Sequence, residues 1–225
     1  MRNTRLDRNS EAILGILPAL DEAGQRLSLA LYRLLAAGEA VSTDALARAA
    51  DLERGRVDAV LSALPGVYCG ADGRVIGFWG LTIAKTRHRM IIDGRQLFAW
   101  CAWDTLFLPE LLQSDARVES SCPVTGDRVV LRVGPEGVAA DGERPLVSFV
   151  APDPEKTAAD VVRNFCHFIH FFATEQAGRT WLAGHPAAIL ATLDEAWELG
   201  RRRNARHFPR MQFSSGAARP RSASR

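Results

Sequence analysis

Through the first third of the chain, apolar residues recur at three- and four-residue spacing, the period of helices that bury one face. Ser10 can cap a short helix over 11–17 behind a loose arm at 1–10. A second helix spans 25–37, with Leu27, Leu29, Ala30, Leu31, Leu34 and Leu35 on its apolar side and Gly38 at its end. Ser42 caps a third over 43–50. A fourth, over 53–64, turns Val57, Val60, Leu61 and Leu64 inward and stops at Pro65-Gly66. The period then shortens. Val67-Tyr68-Cys69 and Val75-Ile76-Gly77-Phe78-Trp79 flank Asp72-Gly73, which is a hairpin signal. Helices followed by a hairpin form the winged helix-turn-helix order.

Beyond residue 80 the pattern mixes short strands with helices. A strand pair or one long strand is expected over 81–92, a strand over 116–122, its partner over 128–133, and another strand over 146–150. Gly134-Pro135 and Asp141-Gly142 mark turns. A helix is predicted over 155–164, one capped by Thr174 through 181, and a strand over 187–191. Thr192-Leu193-Asp194-Glu195 is a capping box opening a last helix to about 205. The expected fold class is α+β: a winged-helix-like helical module over 1–80, then a domain of small antiparallel sheets flanked by helices over 81–208. Residues 209–225 read as a disordered tail rich in arginine and serine.

Two stretches carry candidate chemistry. The first, 95–106, reads as a helix capped by Asp93 and bounded by Pro109, with Leu97, Trp100, Cys101, Asp104 and Leu108 on one face. Cys101 and Asp104 are then neighbours, one turn apart. Burial raises a carboxyl's pKa, so Asp104 can hold a proton near neutrality beside a soft sulfur. The structural alternative is a buried thiol, with Asp104 capping a nearby backbone group. The second stretch, Phe165 to Phe172, reads as a buried aromatic strand headed by Cys166. Where the two stretches meet, two thiols and a carboxyl form a soft-metal or general-acid site. A Cys166 nucleophile with His167 or His170 as its base is the rival arrangement.

Charge and composition narrow the partners. Residues 1–80 hold nine arginines and ten acids, a net charge of −1, so the helical module lacks the basic face a DNA reader needs. A structural or lid role fits it better than nucleic-acid binding. Eight arginines and no acid fall in 201–225. No apolar run approaches the roughly 20 residues of a membrane span, and no signal-peptide pattern opens the chain, so a cytoplasmic protein is expected. Cys69, Cys101, Cys122 and Cys166 lack paired spacing, which argues for free thiols over a zinc ribbon or disulfide scaffold.

The 97–106 stretch with Pro109 resembles the catalytic segment of the organomercurial (alkylmercury) lyases. The Ala116-Arg117-Val118 … Cys122 … Thr125-Gly126 and Phe165-Cys166-His167 … His170-Phe171-Phe172 segments resemble that family too, in the same order and at similar spacing. The likeness covers most of 10–208 and departs at His167, where the family carries a second cysteine. It implies protonolysis of a carbon–mercury bond to a hydrocarbon and Hg(II), for mercury detoxification. Cys101 and Cys166 would bind mercury. Asp104 would deliver the proton and help hold the metal, and Cys122 would be structural. No cofactor is implied. Small thiols would assist product removal, with possible hand-off of Hg(II) to a mercuric reductase. Two other functions compete: a thiol-based metal-sensing regulator with the N-terminal module on DNA, and the Cys166 hydrolase.

Overall fold

The computed structural model describes residues 4–211. Helices α1 (Thr4–Leu14), α2 (Glu22–Leu35), α3 (Thr43–Ala50) and α4 (Arg54–Ala63) come first. Asp21 and Ser42 cap α2 and α3, each accepting a backbone N–H three residues on. Residues expected to form a loose arm are instead part of α1. The reason is burial: Leu6, Ile13 and Leu14 pack into the core, while Glu11 pairs with Arg202 and Arg206. The expected tail lies mostly outside the described residues.

Strands β1 (Val67–Cys69) and β2 (Val75–Phe78) form the wing hairpin. They continue into β3 (Leu81–Thr82), β4 (His88–Ile92), β5 (Arg95–Ala99), β6 (Ala116–Ser121), β7 (Arg128–Gly134) and β8 (Gly137–Ala140). All eight make one antiparallel sheet in the order β1-β2-β3-β5-β4-β6-β7-β8. The wing is therefore hydrogen-bonded to the rest of the protein through β2 and β3.

The helix predicted over 95–106 is not there. Residues 95–99 form β5, paired with β4 through a two-residue turn, and α5 (Asp104–Leu112) begins only at Asp104. Asp93 and Gly94 take φ of 50° and 76°. Positive φ at both central residues marks the hairpin turn that Asp-Gly favours, so Asp93 is a turn residue and caps no helix. Pro109 lies inside α5 instead of ending it.

The strand β9 (Leu146–Phe149) sits between β10 (Phe171–Phe172) and β11 (Ile189–Thr192) in a second sheet. Before β10 the predicted single helix is broken into α6 (Pro154–Ala159) and α7 (Val161–Asn164) at Asp160, whose carboxylate caps α7. The predicted aromatic strand is also corrected: Cys166–Phe168 is a 3₁₀ turn, and only Phe171–Phe172 pairs as strand. Helix α8 (Glu175–Ala183) and the capping-box helix α9 (Leu193–His207) are the last helices among the described residues.

Helix α5 is buried on every side, which its apolar sequence allows. It packs on α9, where Asn204 Nδ2 donates to Phe107 O at 3.0 Å and to Glu110 Oε2 at 2.7 Å. Arg201 holds the other Glu110 oxygen at 3.2 Å. On its far side α9 reaches α1, with His207 Nε2 at 2.9 Å from Leu14 O. Among the described residues, no helix is long and apolar enough to cross a membrane.

Candidate active site

Residues 100–104 form a tight turn between β5 and α5, pinned from both sides. Trp100 N–H donates to Gly80 O at 2.9 Å, and Ala102 N–H donates to Ile169 O at 3.2 Å. The second bond fastens this turn to the segment that follows Cys166. Within the turn, the Asp104 carboxylate reaches back to accept the Cys101 N–H at 2.9 Å. Asp104 therefore caps a nearby backbone group, and the same bond holds its carboxyl beside Cys101.

The Sγ atoms of Cys101 and Cys166 and a carboxylate oxygen of Asp104 lie within 4.8 Å of one another. Thiolate–metal bonds to zinc run about 2.3 Å, so one soft ion between the two sulfurs needs little movement. All three residues are buried, Cys101 completely. Cys101 and Asp104, three residues apart, stay close in the turn as they would on a helix, and the Ala102–Ile169 bond holds the Cys166 segment against them.

Burial sets the protonation. It pushes the Cys101 thiol well up, aided by its hydrogen bond to Cys166 and the Asp104 charge. At Cys166 the Cys101 hydrogen bond pulls downward, but burial and Asp104 leave a net rise. Burial lifts Asp104 to about 6 against the pull of Cys101 and Arg203. A carboxyl there can both take a proton from a thiol and give it up near neutral pH.

Gly80 makes room for that carboxyl. Its φ is +99°, and a Cβ there would lie 2.7 Å from Asp104 Cγ and Oδ1. The neighbouring Trp79 carbonyl accepts from Tyr32 Oη at 2.9 Å, and Arg203 donates to that Tyr32 oxygen at 3.3 Å. Arg203 is itself buried, stacked 4.1 Å over Phe107. These residues were not singled out from the sequence. Gly80 carried a faint signal, a glycine between a hairpin and an apolar strand; Tyr32 and Arg203 carried none, because their role comes from long-range packing.

Asp104, Cys166 and Arg203 line a cavity of about 20 Å³ closed by Leu14 and Leu17 near the N-terminus and by Trp79, Trp100 and Trp103. That is about room for one water. Cys166 also borders an open cleft of about 420 Å³ lined by Tyr68, Arg87, Trp100, Arg163, His167 and His170, among others. His170 is lowered to about 4, chiefly by burial, and stands against Phe172 and Trp181. Its Nδ1 is buried and, among the described residues, has no hydrogen-bond partner. His167 is exposed and packs edge-on against Phe168. Cys122 is away from the trio, buried against Phe172 and Ala177; Cys69 is exposed on the wing.

Two buried thiols and a buried carboxyl on an α+β frame make a cluster that could hold a soft metal ion. Residues 81–203 match the family model for alkylmercury lyase, and residues 17–79 match the one for the helix-turn-helix domain of alkylmercury lyase. The chain belongs to the alkylmercury lyase family, and it is an enzyme of that kind. It is 36% identical to the alkylmercury lyase of Bacillus cereus over 205 residues, 91% of this chain and 90% of that one. With the alkylmercury lyase of Streptomyces lividans it shares 40% over 172 residues, 76% of this chain and 78% of the other. Among solved structures, the mercury-bound form of MerB2 superposes with a TM-score of 0.71 at 26% identity, covering 88% of this chain and 97% of that one.

Proposed function

We propose that Cys101, Cys166 and Asp104 carry out protonolysis of an organomercurial, R–Hg–SR′, presented as its thiol adduct. The observation that carries this reading is the convergence of two thiols and one proton-holding carboxyl within 4.8 Å in a buried site. Cys101 sulfur displaces R′S⁻ from mercury and passes its thiol proton to Asp104. Cys166 gives its proton to the departing R′S⁻ and adds to the metal as a second thiolate. Electron density moves onto the mercury-bound carbon, which the Asp104 carboxylic acid then protonates. The C–Hg bond breaks, R–H leaves, and Hg(II) remains on two sulfurs beside the Asp104 carboxylate. Overall, R–Hg–SR′ and two protein thiols give R–H, R′SH and a bis-thiolate mercury.

The protein's contribution is positioning and a dry site. The Cys101 N–H orients the carboxyl, and burial raises it to about 6, so that it can take up the Cys101 proton and hand it on to carbon. Protein side chains supply all of this chemistry, with no cofactor, and small thiols or a mercuric reductase remove the metal. Such thiols are kept reduced in the cytoplasm, where we place the reaction. The N-terminal module acts as a wall of the chamber: Leu14 and Leu17 close the cavity beside Asp104. Its acidic balance disfavours a nucleic-acid role.

Headspace gas chromatography on phenylmercury with excess small thiol tests this reading. Benzene from the wild type, lost in Cys101→Ser, Cys166→Ser and Asp104→Ala, is the expected result. Tight mercury binding without benzene would refute it and favour a thiol sensor on the same scaffold.

A further inference from the structure

The cavity holding Asp104 and the outer cleft touch at Cys166 and Trp100. Asp104 lines only the inner space, and Cys101 has no solvent exposure at all. Of the trio only Cys166 lines the cleft, so a molecule arriving there meets Cys166 before Cys101 or Asp104.

The cleft's chemistry is cationic. Arg87 and Arg163 both line it, and both side chains are exposed. Among the described residues, neither guanidinium forms an ion pair. The one acid in the lining is Asp160, and its carboxylate is already engaged: Oδ1 accepts from Tyr68 Oη at 3.1 Å and from Arg163 N–H at 3.0 Å. The histidines add ring N–H donors without a second negative charge. The Arg163 charge also acts on Asp160, but neither planar fork is tied to a carboxylate, and two such forks beside Cys166 suit a carboxylate ligand.

The reaction product sharpens the assignment. Hg(II) on two buried thiolates leaves only by exchange with an incoming thiol, because soft metals prefer sulfur to water. We propose that the cleft is a docking site for a small carboxylate-bearing thiol, with Arg87 and Arg163 holding the carboxylate while the thiol attacks mercury at Cys166. This rests on the mercury clamp proposed above. In the exchange, a Hg–S bond to the incoming thiol forms, the Hg–S bond to Cys166 breaks, and the incoming thiol's proton goes to the Cys166 thiolate. A second thiol repeats this at Cys101, releasing a bis-thiolate mercury and restoring both protein thiols.

The test compares three thiols at matched thiolate concentration: anionic 3-mercaptopropionate, neutral 2-mercaptoethanol and cationic cysteamine. Multiple-turnover benzene release from phenylmercury is followed in the full chain. The wild type should half-saturate with the anionic thiol at about tenfold lower concentration than with the neutral one, as two exposed ion pairs allow. Arg87→Gln/Arg163→Gln should abolish that preference, and Arg87→Glu/Arg163→Glu should turn it toward cysteamine. The reversed preference is a gain that misfolding cannot produce. Equal half-saturation by all three thiols in the wild type, or an anionic preference surviving in the double glutamine variant, overturns the docking site. Single-turnover benzene release without added thiol is read separately. Its absence in the wild type would refute the clamp itself, whatever the thiol preference.

Discussion

Gly80→Ala tests how closely the acid must be held. The new Cβ would sit 2.7 Å from two atoms of Asp104, and the carboxyl must retreat by at least 0.7 Å to reach an ordinary 3.4 Å contact. That movement pulls Oδ2 away from the Cys101 N–H it now meets at 2.9 Å. A catalytic group misplaced by about 1 Å can cost on the order of 100-fold, so the single-turnover rate of hydrocarbon release should fall about 30- to 100-fold. Stability should fall as well. The left-handed backbone costs roughly 1–2 kcal/mol for a residue with a side chain, and overpacking adds roughly 1–3 kcal/mol. A loss near 3 kcal/mol in a chain of this size lowers Tm by roughly 6–12 °C. Gly94→Ala is the comparison: φ is +76° with nothing within 4 Å of the added Cβ, so it carries the backbone cost alone. The assay pairs thermal unfolding with rapid-quench product release for both variants. A Gly80→Ala rate within threefold of wild type, or an equal rate loss in Gly94→Ala, would refute the claim that Gly80 positions the acid.

Asp104 should also mark the pH dependence of stability. Its folded carboxyl keeps its proton up to about 6 against an ordinary value of 3.8, so the folded state binds more protons between those values and stability falls as pH rises through them. The shift corresponds to about 3 kcal/mol; Asp104→Asn should flatten denaturation midpoints over pH 4–7, and parallel curves for the two proteins would contradict it. Asn204→Leu strips partners from the Phe107 carbonyl and the buried Glu110 carboxylate, and should lower unfolding free energy by roughly 2–4 kcal/mol in urea titrations. Cys122→Ala, in the small cluster with Phe172, should cost about 1–2 kcal/mol while hydrocarbon release persists; a dead but folded variant would show that Cys122 is more than packing.

Local signals were legible where the chain obeys them locally. Ser42 capping α3, Thr192-Glu195 opening α9 and Asp72-Gly73 joining β1 to β2 are each decided by a few adjacent residues. The stretch around Cys101 misled because Leu97, Trp100, Cys101 and Asp104 fit a helical stripe. The competing signal is Asp93-Gly94 as a two-residue hairpin turn, which a helix-cap reading of Asp93 overlooks. The site was still readable, since a separation of three residues brings a thiol and a carboxyl together in a turn as well as in a helix. That the Cys166 segment is a 3₁₀ turn fastened through Ile169 O to Ala102 depends on pairing across the fold, which no local pattern carries. Arg203 and Tyr32 belong to the same class: a buried cation beside a buried hydroxyl is meaningful only once α9 lies against α2 and α5.

The ladder running from β2 through β3 to β5 has a consequence for how such enzymes can diversify. The sequence divides near residue 80, yet the sheet does not, and Gly80 at the seam shapes the seat of the acid. Exchanging the helical module between relatives would therefore swap one wall of the cavity beside Asp104 along with it. A chimera built at this seam should inherit part of its preference among organic groups from the donor of its N-terminal third, although the thiols and the acid all come from the other parent.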